Sequence, residues 1–301
     1  MIRNKRNIKQ ADAILTADWH LRDTVPECRT DDFYAAQWKK LDFISALQKK
    51  HNCSVYHAGD LFHHWKPSPS LLTDTIKHIP KRFVTVYGNH DVPQHNLELV
   101  YKSGIRTLET AGIISVFPNG TNFGNKPNPD KPSMQGDFTD EIYRKVLVWH
   151  EFTYKGKPPW PGCEADTGNK LLNKYPGFDL ILTGDNHQSF TAKKDGRVLV
   201  NAGNITRQSA AQIDFKPCVY LWYAKTNTVE PVYIPVEEGV VSREHIEKVT
   251  QRDERLDAFI SKLDDNWDIG ISFEENLKRF LQKNKINKHV KRIINRAIDT
   301  E

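Results

Sequence analysis

The sequence predicts an α/β fold, a central β-sandwich of mixed sheets flanked by helices and followed by a helical C-terminal tail. Three observations carry this reading. Short apolar, β-rich runs recur along most of the 301-residue chain and read as strands. Several of them stop at a cluster of polar, metal-capable side chains. Helical segments intervene, which puts those polar groups at the carboxyl ends of strands, where α/β sheets hold their ligands.

In chain order, Ala13–Leu15 leads into Asp18-Trp19-His20. Phe33–Lys50 reads as a helix with Ala36, Leu41, Ile44 and Leu47 near one face. Val55–Tyr56 runs into Gly59-Asp60, and Phe83–Tyr87 into Gly88-Asn89-His90-Asp91. Asn119–Gly136 is rich in Asn, Gly and Pro and reads as a long surface loop. Val146–Trp149 ends at His150. Thr153–Gly177, with Lys155, Lys157, Pro158, Pro159, Trp160 and Pro161, is either a substrate wall beside a site or a plain connection. Leu180–Leu182 leads into Gly184-Asp185-Asn186-His187, and Val198–Val200 into Asn201-Ala202-Gly203. Val219–Trp222 and Val229–Pro235 have little helix between them and suit mixed or antiparallel edge strands.

After Glu237 the pattern turns helical. Leu256, Phe259, Ile260 and Leu263 recur at helical spacing. Ser272 with Glu275 forms a capping-box start ahead of Phe273, Leu277, Phe280 and Leu281, and Val290, Ile293, Ile294, Ala297 and Ile298 mark a last helix. The expected division is therefore 1–241 for the layered domain and 242–301 for a helical, basic region.

Composition sets the outer limits. Apolar content of 38% and charged content of 27% are those of a soluble globular protein. No apolar run approaches the roughly 18 residues of a membrane span. The segment Met1–Gln10 is basic but lacks the apolar stretch of a secretory signal, so a cytoplasmic location is the expectation. Cys28, Cys53, Cys163 and Cys218 are far apart and form no C-x-x-C pair, which fits neither a disulfide framework nor a zinc knuckle. The net charge of +5 says little, but its distribution says more: Leu277–Ile298 carries eight Lys and Arg and no acid, a face suited to nucleic-acid backbone or to a partner.

The strand endings carry the chemistry. A lone Asp or His at a strand end is usually a cap or a solvated turn residue. Five such endings on one chain are not explained that way. Carboxylate, imidazole and amide oxygen together suit manganese, iron, magnesium or zinc.

From Ala13 to Asn204 this ordered set resembles the calcineurin-like metallophosphoesterases. The block Gly59-Asp60-Leu61-Phe62-His63-His64-Trp65-Lys66-Pro67-Ser68 is similar to that of the SbcD-type nuclease subunit, the partner of an SMC-like coiled-coil ATPase in DNA break processing. Gly88-Asn89-His90-Asp91 agrees. The resemblance implies one metal held by Asp18, His20, Asp60 and His187, and a second by Asp60, Asn89, His150 and Asp185. It implies that His90 acts on the phosphate and that His63 supports it. The family usually has Gly-His-x-His where this chain has Gly184-Asp185-Asn186-His187. An added carboxylate favours oxygen-loving ions, manganese first and magnesium second.

The expected function is a two-metal DNA phosphodiesterase, an SbcD-like exonuclease with single-strand endonuclease activity in DNA repair, recombination or replication. Two ions about 3.5–4 Å apart acidify a shared water and clamp phosphate oxygens. Trp65 and Lys66 could stack a base and touch a phosphate, or Trp65 could pack on a neighbouring helix. Expected partners are DNA and an SbcC-type ATPase, with a homodimer possible. Two alternatives are a phosphatase or small-nucleotide phosphodiesterase of the same superfamily, and a metal-stabilised DNA-binding scaffold with weak catalysis.

Overall fold

Two mixed sheets face each other, and helices cover their outer sides. The computed structural model describes residues 9–122, 124–139, 142–264 and 273–298. The chain divides after Ser242 into two compact units.

The first unit begins with β1 (Ala13–Thr16), α1 (Phe33–His51), β2 (Ser54–His57), α2 (Pro69–His78), β3 (Phe83–Thr85), α3 (Gly104–Thr110) and β4 (Ser115–Val116). It continues with β5 (Met134–Thr139), β6 (Ile142–Trp149), α4 (Gly168–Lys174), β7 (Leu180–Thr183), β8 (Phe190–Lys194), β9 (Arg197–Asn201), β10 (Cys218–Tyr223) and β11 (Thr228–Tyr233). One sheet has the order β11-β10-β1-β2-β3-β4 and the other β5-β6-β7-β9-β8. β1 to β4 run parallel, as do β6, β7 and β9. The antiparallel strands lie toward the edges: β10 and β11 in the first sheet, β5 and β8 in the second.

Strand alternation sorts the core into layers. Ala13 and Leu15 of β1, Val146 and Val148 of β6, Leu180 and Leu182 of β7 and Trp222 of β10 fill the space between the sheets. The alternate residues point outward. Ile14, Val55, Phe83 and Leu221 pack with Trp38, Leu41 and Ile44 of α1, whereas Leu147, Ile181 and Leu199 pack with Leu171 and Leu172 of α4. Both faces of these strands are dry, which explains their nearly continuous apolar runs. Each fully buried Leu or Ile contributes roughly 1.5–3 kcal/mol.

Helix starts follow local chemistry. Asp32 accepts from the Ala35 amide to cap α1, and Asn52 ends it in the left-handed region at φ 50°. Ser68 caps α2, whose first residue is Pro69, as expected for an N-terminal proline. The first helix therefore runs Phe33–His51, with Ala36, Leu41 and Ile44 buried and Leu47 half-buried.

The structure corrects two readings. The stretch Asn119–Gly136 is not all loop: β5 starts at Met134 and pairs antiparallel with β6. Its Gln-Gly-Asp content hid it, because an edge strand needs no apolar run. β8 also went unread; the Asp195-Gly196 hairpin turn, with φ of 49° and 73°, is the signal that marks it.

The second unit holds α5 (Glu244–Asp264), α6 (Phe273–Lys283) and α7 (Lys288–Ile298). Leu277, Phe280 and Leu281 form its buried cluster, with Ile286 and Ile294 against it, while Val290 and Ile293 are exposed. The Ser272 capping box and the side chains of Leu256, Phe259, Ile260, Leu263, Phe273, Ala297 and Ile298 lie outside the described residues. Among the described residues no helix is long and apolar enough to cross a membrane.

Candidate metal centre

The parallel strands β1, β2, β3, β6 and β7 all deliver their carboxyl ends to one rim. Asp18 and His20 follow β1, Asp60 follows β2, Asn89 and His90 follow β3, His150 follows β6, and Asp185 and His187 follow β7. Four of these residues sit in the left-handed region: Asp18 at φ 52°, His20 at 46°, Asp60 at 59° and Asp185 at 71°. Non-glycine residues adopt it at a cost, and such backbone concentrates where a site demands it.

Two glycines make room. A Cβ on Gly59, whose φ is 91°, would lie 2.5 Å from His150 Nδ1; one on Gly88 would lie 2.1 Å from Asp60 Oδ1. Only a bare backbone lets these loops approach so closely.

The side chains gather into two limbs around Asp60. On one limb His20 Nε2 and His187 Nε2 are 3.0 Å apart, and Asp60 Oδ2 is 3.6 Å from His20 Nε2. On the other, His150 Nε2 lies 2.8 Å from Asn89 Oδ1, 3.5 Å from the same Asp60 Oδ2 and 3.9 Å from Asp185 Oδ1. Donor atoms of Asp18, His20 and His187, and separately of Asp18, Asp60 and His150, fall within 4.8 Å of one another. Asp18 Oδ1 also accepts from the Asp185 amide at 2.9 Å, joining the β1 and β7 loops.

This donor set fits divalent cations. Asp18 Oδ2 is buried with no protein partner, a condition that costs free energy unless a cation faces it. His150 Nδ1 is 2.7 Å from the Ala58 carbonyl. A carbonyl only accepts, so the proton sits on Nδ1 and Nε2 turns toward three oxygens. Burial opposes charge on His150, yet Asp60, Asp18 and Asp185 push it up to about 10. Burial likewise opposes charge on Asp60, but His150 and His20 outweigh it and hold that carboxyl low. The pocket selects positive charge.

His90 and His63 form a third group beside the first limb. His90 Nδ1 donates to the His63 carbonyl at 2.8 Å, the His63 ring stacks on His90 at 5.4 Å between centroids, and the His90 ring stands edge-on to His20 at 4.8 Å. Burial, with the charge of Arg22, lowers His63 to about 4. His20, His63 and His90 also present ring nitrogens within 4.8 Å of one another. Trp65 is half-buried with its ring 5.3 Å from that of His64, and its carbonyl accepts from Gly104. Lys66 is exposed. Neither joins the cluster through a described contact.

Sequence reasoning missed two residues that hold the loops. Asp91 is buried and accepts from the backbone amides of Asp60, Leu61, Phe62 and Gly88, so it ties the β2 loop to the β3 loop. Burial and the charge of Asp60 push Asp91 up, and the amides pull it back. Asn201, at the end of β9, donates to the carbonyls of Asn186 and Gln188 on either side of His187 and accepts from Thr183. The motif position of Asp91 was visible, but its partners depend on two loops meeting in space.

A two-sheet α/β core with carboxylates and imidazoles converging at strand ends is the architecture of a metal-handling hydrolase. The family model for calcineurin-like phosphoesterases matches residues 13–189, more than half of the chain, and the chain belongs to that family. The DNA double-strand break repair protein Mre11 of Haloferax volcanii is 27% identical over 226 residues, covering 68% of this chain and 49% of that protein. Mre11 of Halobacterium salinarum is 26% identical over 207 residues, 60% of this chain and 50% of that one. The chain thus spans about half the length of these relatives. The solved structure of an archaeal phosphodiesterase aligns with 73% of this chain and 98% of its own at 11% identity and a TM-score of 0.39, too loose a likeness to build on.

Proposed function

We propose that the chain is a two-metal DNA phosphodiesterase of the SbcD/Mre11 type, an exonuclease with single-strand endonuclease activity that acts in DNA break processing. One observation carries the two-metal part: Asp60 Oδ2 lies 3.6 Å from His20 Nε2 and 3.5 Å from His150 Nε2, midway between two donor sets. Asp18, His20, Asp60 and His187 would hold one ion, and Asp60, Asn89, His150 and Asp185 the other. When bound, the ions supply Lewis acidity for an activated water and for phosphate charge. Three carboxylates and an amide oxygen favour hard ions, manganese first and magnesium second.

The remaining work belongs to the chain. His90, its Nδ1 proton held by the His63 carbonyl, presents Nε2 to the phosphate, steadies its charge and passes a proton to the leaving oxygen. His63 stacks against it and fixes its ring. Asp91 keeps the Asp60 and Asn89 loops in register. Trp65 and Lys66, just after His63 in sequence, would stack a base and touch a phosphate.

The Mre11 relatives support DNA as substrate. Residues 1–241 would be the nuclease and residues 242–301 the region that meets DNA or an SMC-like ATPase. The basic run Leu277–Ile298 and exposed Val290 and Ile293 supply charge and apolar surface for that role. Pairing with a second copy belongs to the same reading, as does action in the cytoplasm. The test is hydrolysis of linear duplex and single-stranded DNA with manganese, beside phosphomonoesters and cyclic nucleotides. DNA cleavage is the expected result; turnover of monoesters alone would make the protein a phosphatase instead.

A further inference from the structure

The segment between His150 and β7 forms a pinned loop. Tyr154 and Thr167 make an isolated parallel bridge, and the Gly168 amide donates to the Tyr154 carbonyl at 3.1 Å. Residues 155–166 are thus closed at the neck, as in a compact Ω-loop. The neck is fastened to the metal rim. Thr153 Oγ1 donates to Thr183 Oγ1 at 3.0 Å, at the end of β7. Asn186, between Asp185 and His187, donates through its side chain to the Thr153 carbonyl.

That loop holds an aromatic residue out in water. Trp160 is 50% exposed, and its ring leans on Phe152 with centroids 5.0 Å apart. Phe152 directly precedes Thr153, which is bonded to Thr183 and Asn186 at the end of β7, so the pair is anchored on the neck that joins the rim. An exposed tryptophan flanked by Pro159 and Pro161 is stiff, which cuts the entropy lost when something stacks on it. Beside the neck lies a groove of about 600 Å³ lined by Tyr154, Lys155, Asn169, Phe190, Thr191 and Lys193. Lys155 and Lys193 are exposed and have no described carboxylate partner, whereas Asp166 on the same loop is occupied by Lys170 and Lys174. Tyr154, Thr167 and Gly168 of the neck line the same groove, which places it against the base of the loop.

We propose that this loop is the seat of the nucleic-acid strand leaving the metal centre: Trp160 on Phe152 stacks an unpaired nucleobase, and Lys155 and Lys193 take backbone phosphates in the groove beside the neck. The proposal rests on the DNA reading above and adds its strand-binding surface. Aromatic stacking on any base is sequence-tolerant, and phosphate neutralisation is indifferent to sequence. The surface therefore suits a single strand or a frayed end of any sequence.

The experiment compares the full-length protein with Trp160→Ala, Trp160→Phe and the double variant Lys155→Ala/Lys193→Ala. Its substrates are a fluorescent single-stranded oligonucleotide and bis(p-nitrophenyl) phosphate, a phosphodiester with no base. Trp160→Ala should weaken oligonucleotide binding about 5- to 150-fold, the span of one stacked base. It should raise KM for the oligonucleotide more than it lowers kcat and leave the small diester alone, and Trp160→Phe should restore most of the loss. The lysine double variant should flatten the dependence of log affinity on log salt by about 1.4, since each phosphate contact on a single strand contributes about 0.7. Unchanged oligonucleotide binding by Trp160→Ala would overturn the stacking role, and an unchanged salt slope would overturn the lysine contacts. Equal losses on both substrates would make the loop a structural support of the centre and also overturn the proposal. If wild type turned over the small diester but bound no oligonucleotide, the DNA reading itself would have failed.

Discussion

Asp91→Asn changes one atom of the carboxylate that holds the rim together. Oδ2 of Asp91 accepts from Asp60 at 2.8 Å, Gly88 at 3.0 Å and Leu61 at 3.3 Å, while Oδ1 accepts from Phe62 at 3.1 Å. An asparagine keeps the shape but has one oxygen. The better orientation leaves that oxygen on the three-amide side and turns the NH2 toward the Phe62 amide, donor against donor. The lost charge-assisted bond costs about 1.5–3 kcal/mol, and three bonds reduced from charged to neutral acceptors cost up to about 1 kcal/mol each. Relief of repulsion with Asp60 and the easier burial of a neutral group act the other way, as the raised Asp91 carboxyl shows; in the manganese-loaded protein, where cations would offset the Asp60 charge, they cancel only a part. The net is about 2–4 kcal/mol. It should appear as a lower urea midpoint at unchanged slope. Because the Asp60 and Gly88–Asn89 loops separate, manganese affinity should fall in the same variant although Asp91 itself faces amides. A loss under about 0.5 kcal/mol, the level of an ordinary surface change, with unaltered manganese binding would refute the tether.

Three further outcomes follow from the site. His90→Asn should keep both ions and lose turnover by about 10²–10⁴, the span for an acid–base group; lost metal in that variant would make His90 a ligand, as the cluster with His20 and His63 would then require. Asp185→His should shift the metal ranking from manganese and magnesium toward zinc, and an identical ranking in both proteins would remove Asp185 from the coordination sphere. His57 is buried between Trp19 and Phe83, donates from Nδ1 to Thr85 and is pushed down to about 3 by burial, with the charge of His150 adding. The unfolded chain therefore binds the proton first: the His57 contribution is complete above pH 6.5 and erodes as pH falls toward 3. The erosion amounts to about 1.4 kcal/mol per pH unit. His57→Asn keeps a donor for Thr85, so denaturation at several pH values should show a shallower acid slope than wild type.

Much of this architecture was legible because the central strands are dry on both sides. Val146–Val148, Leu180–Leu182 and Val198–Val200 face the sandwich with alternate residues and α4 with the others, so apolar runs ending in a polar cluster were sufficient signal. β5 was not legible, since an edge strand carries polar residues and its pairing is decided by neighbours, and β8 is marked only by the Asp195-Gly196 turn that follows it. The rim residues were readable one strand end at a time, and the structure brings all seven candidate ligands to one place. What holds them was not readable. Asp91 and Asn201 act by accepting from or donating to loops that meet only after folding. Trp65 packs its ring near that of His64, and its backbone carbonyl accepts from Gly104. Trp160, farther along the chain, sits on a loop whose neck Thr153 ties to the end of β7.

Whether Asp60 joins two metal sites is tested most directly by manganese stoichiometry in wild type and Asp60→Asn, taken alongside cleavage of linear DNA. Wild type should bind two ions per chain and cut. Asp60→Asn, folded as judged by its circular dichroism, should hold fewer ions tightly and fail to cut. One ion per chain in a fully active wild type, or near-normal cleavage by Asp60→Asn with two ions still bound, would contradict that bridging role.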